Sequence, residues 1–287
     1  MPDDGARLPD AGLTHSTPPP RVVLLTAQGD LAQIVRNAFA ASFDNLTIIT
    51  EQPEPKSQII KRRARLRGWP SAISQAVVGL LLRITAKRSA ARVDDICRAG
   101  GLNRDRNADQ AASAQTFSVT SVNTNRARAL IRSANPNIVA VYGTRLLNAA
   151  TLDAVAAPFI NYHAGLTPKY RGQHPGYWAL ASDDPSGAGV TVHLVDTGVD
   201  TGCVLAQAHV PLSADADNIT TYQFVQMSVG LPLFITTVTK AIAPNGADFA
   251  SPPSQTRACR PVAKLPRTHL PPTLGEYLRH GIRQGVW

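Results

Sequence analysis

The chain has 287 residues, 44% hydrophobic and 17% charged, which suits one large domain or one domain with a small appendage. Its 29 lysines and arginines outnumber 20 acidic residues, and the net +9 favours anionic partners without choosing among nucleic acid, phosphorylated small molecules and anionic membrane. Three scattered cysteines, Cys97, Cys203 and Cys259, form no CxxC pair or disulfide framework, which points to a reducing cytoplasm.

Residues 1–20 lack the basic start and apolar run of a secretory signal and read as a disordered tail. RVVLLTAQGD then gives a buried strand that breaks at Gln28-Gly29-Asp30, and LAQIVRNAFAASF places Leu31, Ile34, Val35, Ala38 and Phe39 on one helical face. LTIIT is a second strand, and strand, helix, strand opens a parallel α/β sheet.

A basic segment interrupts the rhythm. An insertion over about 56–115 is expected, with basic residues packed around the apolar run Ala76 to Leu82. Two readings stand side by side: a helical hairpin with a solvated basic face, or an interfacial helix over 61–92 that touches an anionic membrane or polyanion. No stretch reaches the roughly 18 uninterrupted apolar residues of a membrane span.

TFSVTSVNT reads as a strand, and NRARALIRSANP as a helix ended by Pro136. NIVAVYGTRLL supplies an apolar strand that breaks at Gly143, and APFINYH another. After a helix at GYWALASDD, AGVTVHLVD and CVLAQAHVPL form an antiparallel pair joined by TGVDTG. A long helix closes this unit, with Pro232 as an expected kink. Residues 245–287 form a Pro- and Arg-rich extension with a short helix near Thr273 to Arg283. The expected fold is α/β: an open, mostly parallel sheet flanked by helices, with ligands at the carboxyl ends of its strands.

Asn161 and His163, two apart on one strand, project from the same face and can both donate to an oxygen that becomes negative. A carboxylate from another loop, Asp200, can set the state of the histidine. Together the three suit acyl transfer to an amine through a tetrahedral intermediate, with no side-chain nucleophile. No His/Cys/Asp group has metal-ligand spacing, so no metal is expected, and G-x-G-x-x-G is absent. His174 reads as a loop histidine or an acceptor contact, while His193 alternates with Val192 and Leu194 and is expected to face away from the core. Cys203 reads as a small buried residue.

NYHAGLTPKYRG resembles the N-x-H-x-S-L-L-P-x-[YW]-[RP]-G signature of the folate-dependent formyltransferases. VTVHLVDTGVDTGCVLAQ resembles their second signature, and Asn161 and Asp200 stand 39 residues apart, near the family's spacing. The resemblance runs from about Arg21 to Ala243 and is densest from Asn135 to Gln207. It implies a catalytic domain over 21–244 that uses 10-formyltetrahydrofolate. It also implies that Asn161 binds the formyl oxygen, that His163 stabilises the oxyanion as imidazolium, and that Asp200 holds that proton and helps remove the amine's. YGTRLL corresponds to the family segment that lines the pterin pocket, which points to Arg145, Leu146 and Leu147, with Asp196, Thr197, Gly198, Val199 and Asp200 on the other side.

Two departures bear on the acceptor. Ala164-Gly165 stands where the family commonly has a serine, and TAQGD lacks the Gly- and Ser-rich cradle of the glycinamide ribonucleotide enzymes. The stretch after Pro244 is shorter than the C-terminal barrel of the methionyl-tRNA enzymes, and no regulatory domain fits before Val22 as in the deformylases. By elimination, the resemblance points to the sugar N-formyltransferases, whose acceptors are nucleotide-linked amino sugars; the alternatives are a protein like the methionyl-tRNA enzymes without their C-terminal domain, or a non-catalytic membrane- or polyanion-binding protein on the same fold.

Overall fold

Five consecutive buried residues make β1 (Val22–Thr26) a strand covered on both faces, and in β2 (Leu46–Glu51) all but the half-buried Thr47 are buried. Such runs are what a parallel sheet between two helical layers demands. The computed structural model describes residues 19–108, 114–243 and 268–284, so most of the expected N-terminal tail and part of the C-terminal extension lie outside it. β3 (Gln115–Val119), β4 (Ile138–Tyr142), β5 (Phe159–His163), β6 (Gly189–Leu194) and β7 (Val204–His209) complete one sheet in the order β3-β2-β1-β4-β5-β6-β7. The first five strands in that order are mutually parallel, and β6 and β7 run antiparallel to their neighbours.

Alternate side chains separate the core into two layers. Leu24, Ile48, Ala140, Ile160 and Val192 face a large layer that holds α1 (Asp30–Ser42) and α8 (Tyr222–Ile242). Val23, Leu25, Ile49, Val139 and Phe159 face a smaller one that includes Ala127 and Ile131 of α5 (Asn125–Ala134). The smaller layer ends at Phe159, and beyond it the same face of β5 and β6 turns polar, at Asn161, His163, Thr191 and His193. α8 is long and apolar enough to cross a membrane, yet Tyr222, Met227, Phe234 and Val238 are buried in the large layer. It runs as one helix through Pro232.

The basic segment forms α2 (Lys56–Arg67), α3 (Trp69–Arg88) and α4 (Ala90–Ala99). α4 belongs to the core, since Val93 and Cys97 pack into the large layer. α2 buries no residue, and α3 buries Ala72, Gln75 and Val78. After α6 (Ala149–Leu152) and α7 (Pro175–Ala181), a last helix, α9 (Leu274–Gln284), packs against α3. Leu274 N–H donates to Ser74 Oγ at 2.6 Å and Gln75 Nε2 to the Pro271 carbonyl at 2.9 Å, so the described part of the C-terminal extension packs onto the domain.

Candidate functional site

β5 carries Asn161 and His163 to the carboxyl edge of the parallel strands, where the chain must leave the sheet. Register sets the next partner: Asn161 lies directly opposite His193 of β6. Cross-strand neighbours on one face are close enough to interact, and Asn161 Nδ2 lies 3.1 Å from His193 Nε2. His193 Nδ1 donates to the Leu194 carbonyl at 2.7 Å, and in that tautomer Nε2 accepts the Asn161 amide N–H. His193 is buried, contrary to the expectation that it faces away from the core. β6 sits between β5 and β7, so His193, out of phase with the large apolar layer, is covered on the polar face that it shares with Asn161 and His163.

Asp200 comes from the β6–β7 loop in a left-handed conformation, φ 49°, which aspartate tolerates better than most residues. Asp196 builds that loop, its Oδ1 accepting from Gly198 N–H at 2.9 Å and Thr201 Oγ1–H at 2.5 Å. The Asp200 carboxylate lies 3.5 Å from His163 Nδ1 and 3.6 Å from His193 Nε2, and it accepts the Gly172 N–H at 2.9 Å. Burial favours its neutral form, but His193, His163 and the Gly172 N–H together bring its pKa down to about 2. It is therefore a carboxylate at neutral pH.

His163 is held between two oxygens. Its Nε2 donates to the Tyr170 carbonyl at 2.7 Å, which leaves Nδ1 of the neutral ring as a lone pair beside Asp200. Burial is the largest influence on it and lowers its pKa from the ordinary 6.5, while Asp200 and the Tyr170 carbonyl push the other way. The ring is neutral at rest and poised to take a proton at Nδ1.

The loop from Ala164 to Arg171 is fastened from below. Thr191 Oγ1 donates to the Gly165 carbonyl at 2.6 Å, and Gln226 Nε2 donates to that of Ala164 at 2.6 Å. Gly165 answers to a close approach: a Cβ there would lie 2.5 Å from the Tyr170 carbonyl oxygen and 2.7 Å from His163 Nε2. The departure from serine noted in the sequence is thus the space that lets His163 reach Tyr170.

Arg171 is buried, at 6% exposure. Its Nη2 donates to Thr268 Oγ1 at 2.8 Å, but its Nε and Nη1 have no partner among the described residues. A charged side chain buried with open donors is costly unless an anion completes it. The C-terminal segment walls this side, with His269 N–H donating to the Arg171 carbonyl at 2.9 Å. His174 precedes α7 with φ 54°, and burial, followed by the charge of Arg63 on α2, lowers its pKa to about 4.

The residues expected to line the co-substrate pocket divide. Arg145 is a clamp: its N–H donates to Glu51 Oε2 at 2.8 Å, and its guanidinium to the carbonyls of Thr120 at 2.9 Å and Gln52 at 2.6 Å. Leu147 is buried in the smaller core layer. Leu146 and Val199 are exposed, at 53% and 37%, leaving an apolar side chain open on each of the two expected walls. Thr197 is exposed and Gly198 half-buried. Cys203, expected as a small buried residue outside any disulfide, is half-buried and disulfide-bonded. On the same edge of the sheet, a separate cavity of about 550 Å³ lies at the ends of β1, β2 and β3, lined by Gln28, Asp30, Arg36, Thr50, Arg106 and Ser118 among others. Asn161, His163 and Asp200 are not among its lining residues.

Residues 90–229 match the formyl transferase family. A methionyl-tRNA formyltransferase of Thermodesulfovibrio yellowstonii is 38% identical over 112 residues, taking in 38% of this chain and 35% of the relative. The chain thus covers about a third of that relative's length. Two solved structures share the fold: phosphoribosylglycinamide formyltransferases of Bacillus halodurans (17% identity, TM-score 0.50, 80% of this chain and 99% of that one) and Streptococcus pneumoniae (16%, 0.50, 78% and 99%).

Proposed function

We propose that this chain, which over residues 90–229 belongs to the formyl transferase family, moves a formyl group from 10-formyltetrahydrofolate to a primary amine. The observation that carries the reading is the meeting of His163 and Asp200, 37 residues apart in sequence, at 3.5 Å, with Asn161 bonded to His193, which in turn lies 3.6 Å from Asp200. The donor supplies an activated formyl carbon, and exposed Leu146 and Val199 offer apolar surface for its ring system.

The chain's residues divide the work. One N–H of the Asn161 amide points to His193, which leaves the second for the formyl oxygen as it gains charge. The acceptor nitrogen bonds to the formyl carbon and loses a proton, which His163 Nδ1 collects directly or through water. Asp200 stabilises the resulting imidazolium, and the departing donor nitrogen takes the proton back. His193 holds the Asn161 amide in place and is a positioning residue.

The acceptor is an amine that carries an anionic group, of which a nucleotide-linked amino sugar is the example we favour. The buried, half-satisfied Arg171 supports this, because a phosphate or carboxylate would complete its open donors. Incubation with the formyl donor and a panel of amines, with and without phosphate groups, should release tetrahydrofolate for phosphate-bearing amines. An absence of turnover with every amine, together with an absence of folate binding, sinks the reading.

A further inference from the structure

α2 and α3 together carry nine basic residues and no acidic one between Lys56 and Arg88. α3 is unusual in presenting two opposite faces. One face, with Ala72, Gln75 and Val78 buried, holds the C-terminal segment at Pro271 and Leu274. On the other, Trp69, Ile73, Val77, Leu80 and Ile84 recur at helical spacing, each 39% to 60% exposed. Leu66, 64% exposed at the end of α2, prolongs the stripe. At 1.5 Å per residue the stripe on α3 is roughly 22 Å long. Single exposed apolar residues are ordinary on a protein surface, but a continuous apolar stripe on one helix marks an interaction surface.

The charge around the stripe selects what covers it. A second copy would bring two hairpins together, each with nine basic residues and no acid between Lys56 and Arg88, against like-charge repulsion. A nucleic acid would satisfy the charge and leave the leucine and isoleucine side chains in water. An anionic bilayer satisfies both: apolar side chains sink to the acyl boundary, a tryptophan sits at the headgroup level, and lysines and arginines reach the phosphates. Arg65 and Arg67 flank Leu66 at one end, and Lys87 and Arg88 lie in the last turn at the other.

We propose that the outer face of α3, with the basic residues of α2 and of its own last turn, docks this protein on an anionic bilayer, the helix lying in the plane of the interface. The inference does not depend on the formyl-transfer reading. It has a structural consequence for the site, because the segment that α3 grips at Pro271 also holds His269 against the Arg171 carbonyl. Docking therefore fixes the helix that supports one wall of the site.

The test is flotation of the full chain with phosphatidylcholine vesicles, with and without phosphatidylglycerol. The wild type should float with phosphatidylglycerol vesicles alone, and less so as salt rises. A Trp69→Ser, Ile73→Ser, Leu80→Ser triple variant should lose about tenfold or more of that binding with its thermal melt unchanged. If the triple variant does not fold, Leu80→Asp alone provides the same comparison. Three results overturn the proposal: a wild type that does not float, equal flotation of wild type and stripe variant, or a stripe-dependent dimer in sedimentation without vesicle binding.

Discussion

His163 Nδ1 faces an Asp200 carboxylate oxygen at 3.5 Å, with the other ring nitrogen donated to the Tyr170 carbonyl. A neutral ring so held has one place to accept a proton, and the charge that results lies next to its counterion. Asp200→Asn should therefore lower kcat by roughly 10²–10⁴-fold, the usual contribution of a positioned acid–base group. The carboxylate raises the His163 pKa against burial, so its removal should shift the acid limb of kcat/KM to lower pH. A pH–rate profile measures both, and an unmoved acid limb contradicts the pairing.

Gly165 is predicted to be intolerant of any side chain. In Gly165→Ala the new Cβ would meet Pro175 and the Tyr170 carbonyl oxygen at 2.5 Å, both on packed elements. Overpacking of this kind costs about 1–3 kcal/mol, and relief comes by displacing Tyr170 and with it His163. Thermal denaturation and kcat should fall together. An alanine variant as stable and active as wild type would mean that the loop is looser than described.

Arg171→Met should separate stability from binding. Removal of a buried, half-satisfied charge in favour of a long apolar side chain is often neutral or stabilising. The melting temperature should hold or rise, while KM for a phosphate-bearing acceptor rises about tenfold or more and KM for the folate donor stays put. A fall in stability with KM unchanged would make Arg171 structural.

His174 ties stability to pH. Its folded pKa of about 4 lies below the ordinary 6.5, so the unfolded chain binds the proton more readily. Stability is then complete above the unfolded pKa and declines as pH falls from about 6.5 towards 4. For a half-buried ring the loss is roughly 1–3 kcal/mol. His174→Asn, which keeps a residue tolerant of positive φ, should flatten that decline in denaturant titrations. Asp200, with a folded pKa of about 2, contributes its loss only below about pH 4.

Much of this was legible in the chain. The apolar runs at Val22–Thr26 and Ile138–Tyr142 and the alternating pair at β6 and β7 give the sheet, because burial on both faces leaves little choice of residue. Asn161 and His163 were readable as one face of a strand. His193 was not, since alternation reads as exposure unless the strand's neighbours are known. Arg145 sits in a segment matched to a pocket wall, but its role as a clamp on Glu51 depends on three strand ends meeting. α4 shares the basic composition of α2 and α3, and only its contacts place Val93 and Cys97 in the core. The packing of residues 268–284 joins positions 200 apart in sequence at α3 and 97 apart at the site loop, which no local pattern announces.

The central claim is that Asn161, His163 and Asp200 together transfer a formyl group to an amine. The direct measurement is tetrahydrofolate release in the presence of 10-formyltetrahydrofolate and a phosphate-bearing amine, for the wild type and for His163→Ala. The account predicts turnover by the wild type and a loss of about 10²-fold or more in a folded variant. Equal rates for the two proteins would contradict it.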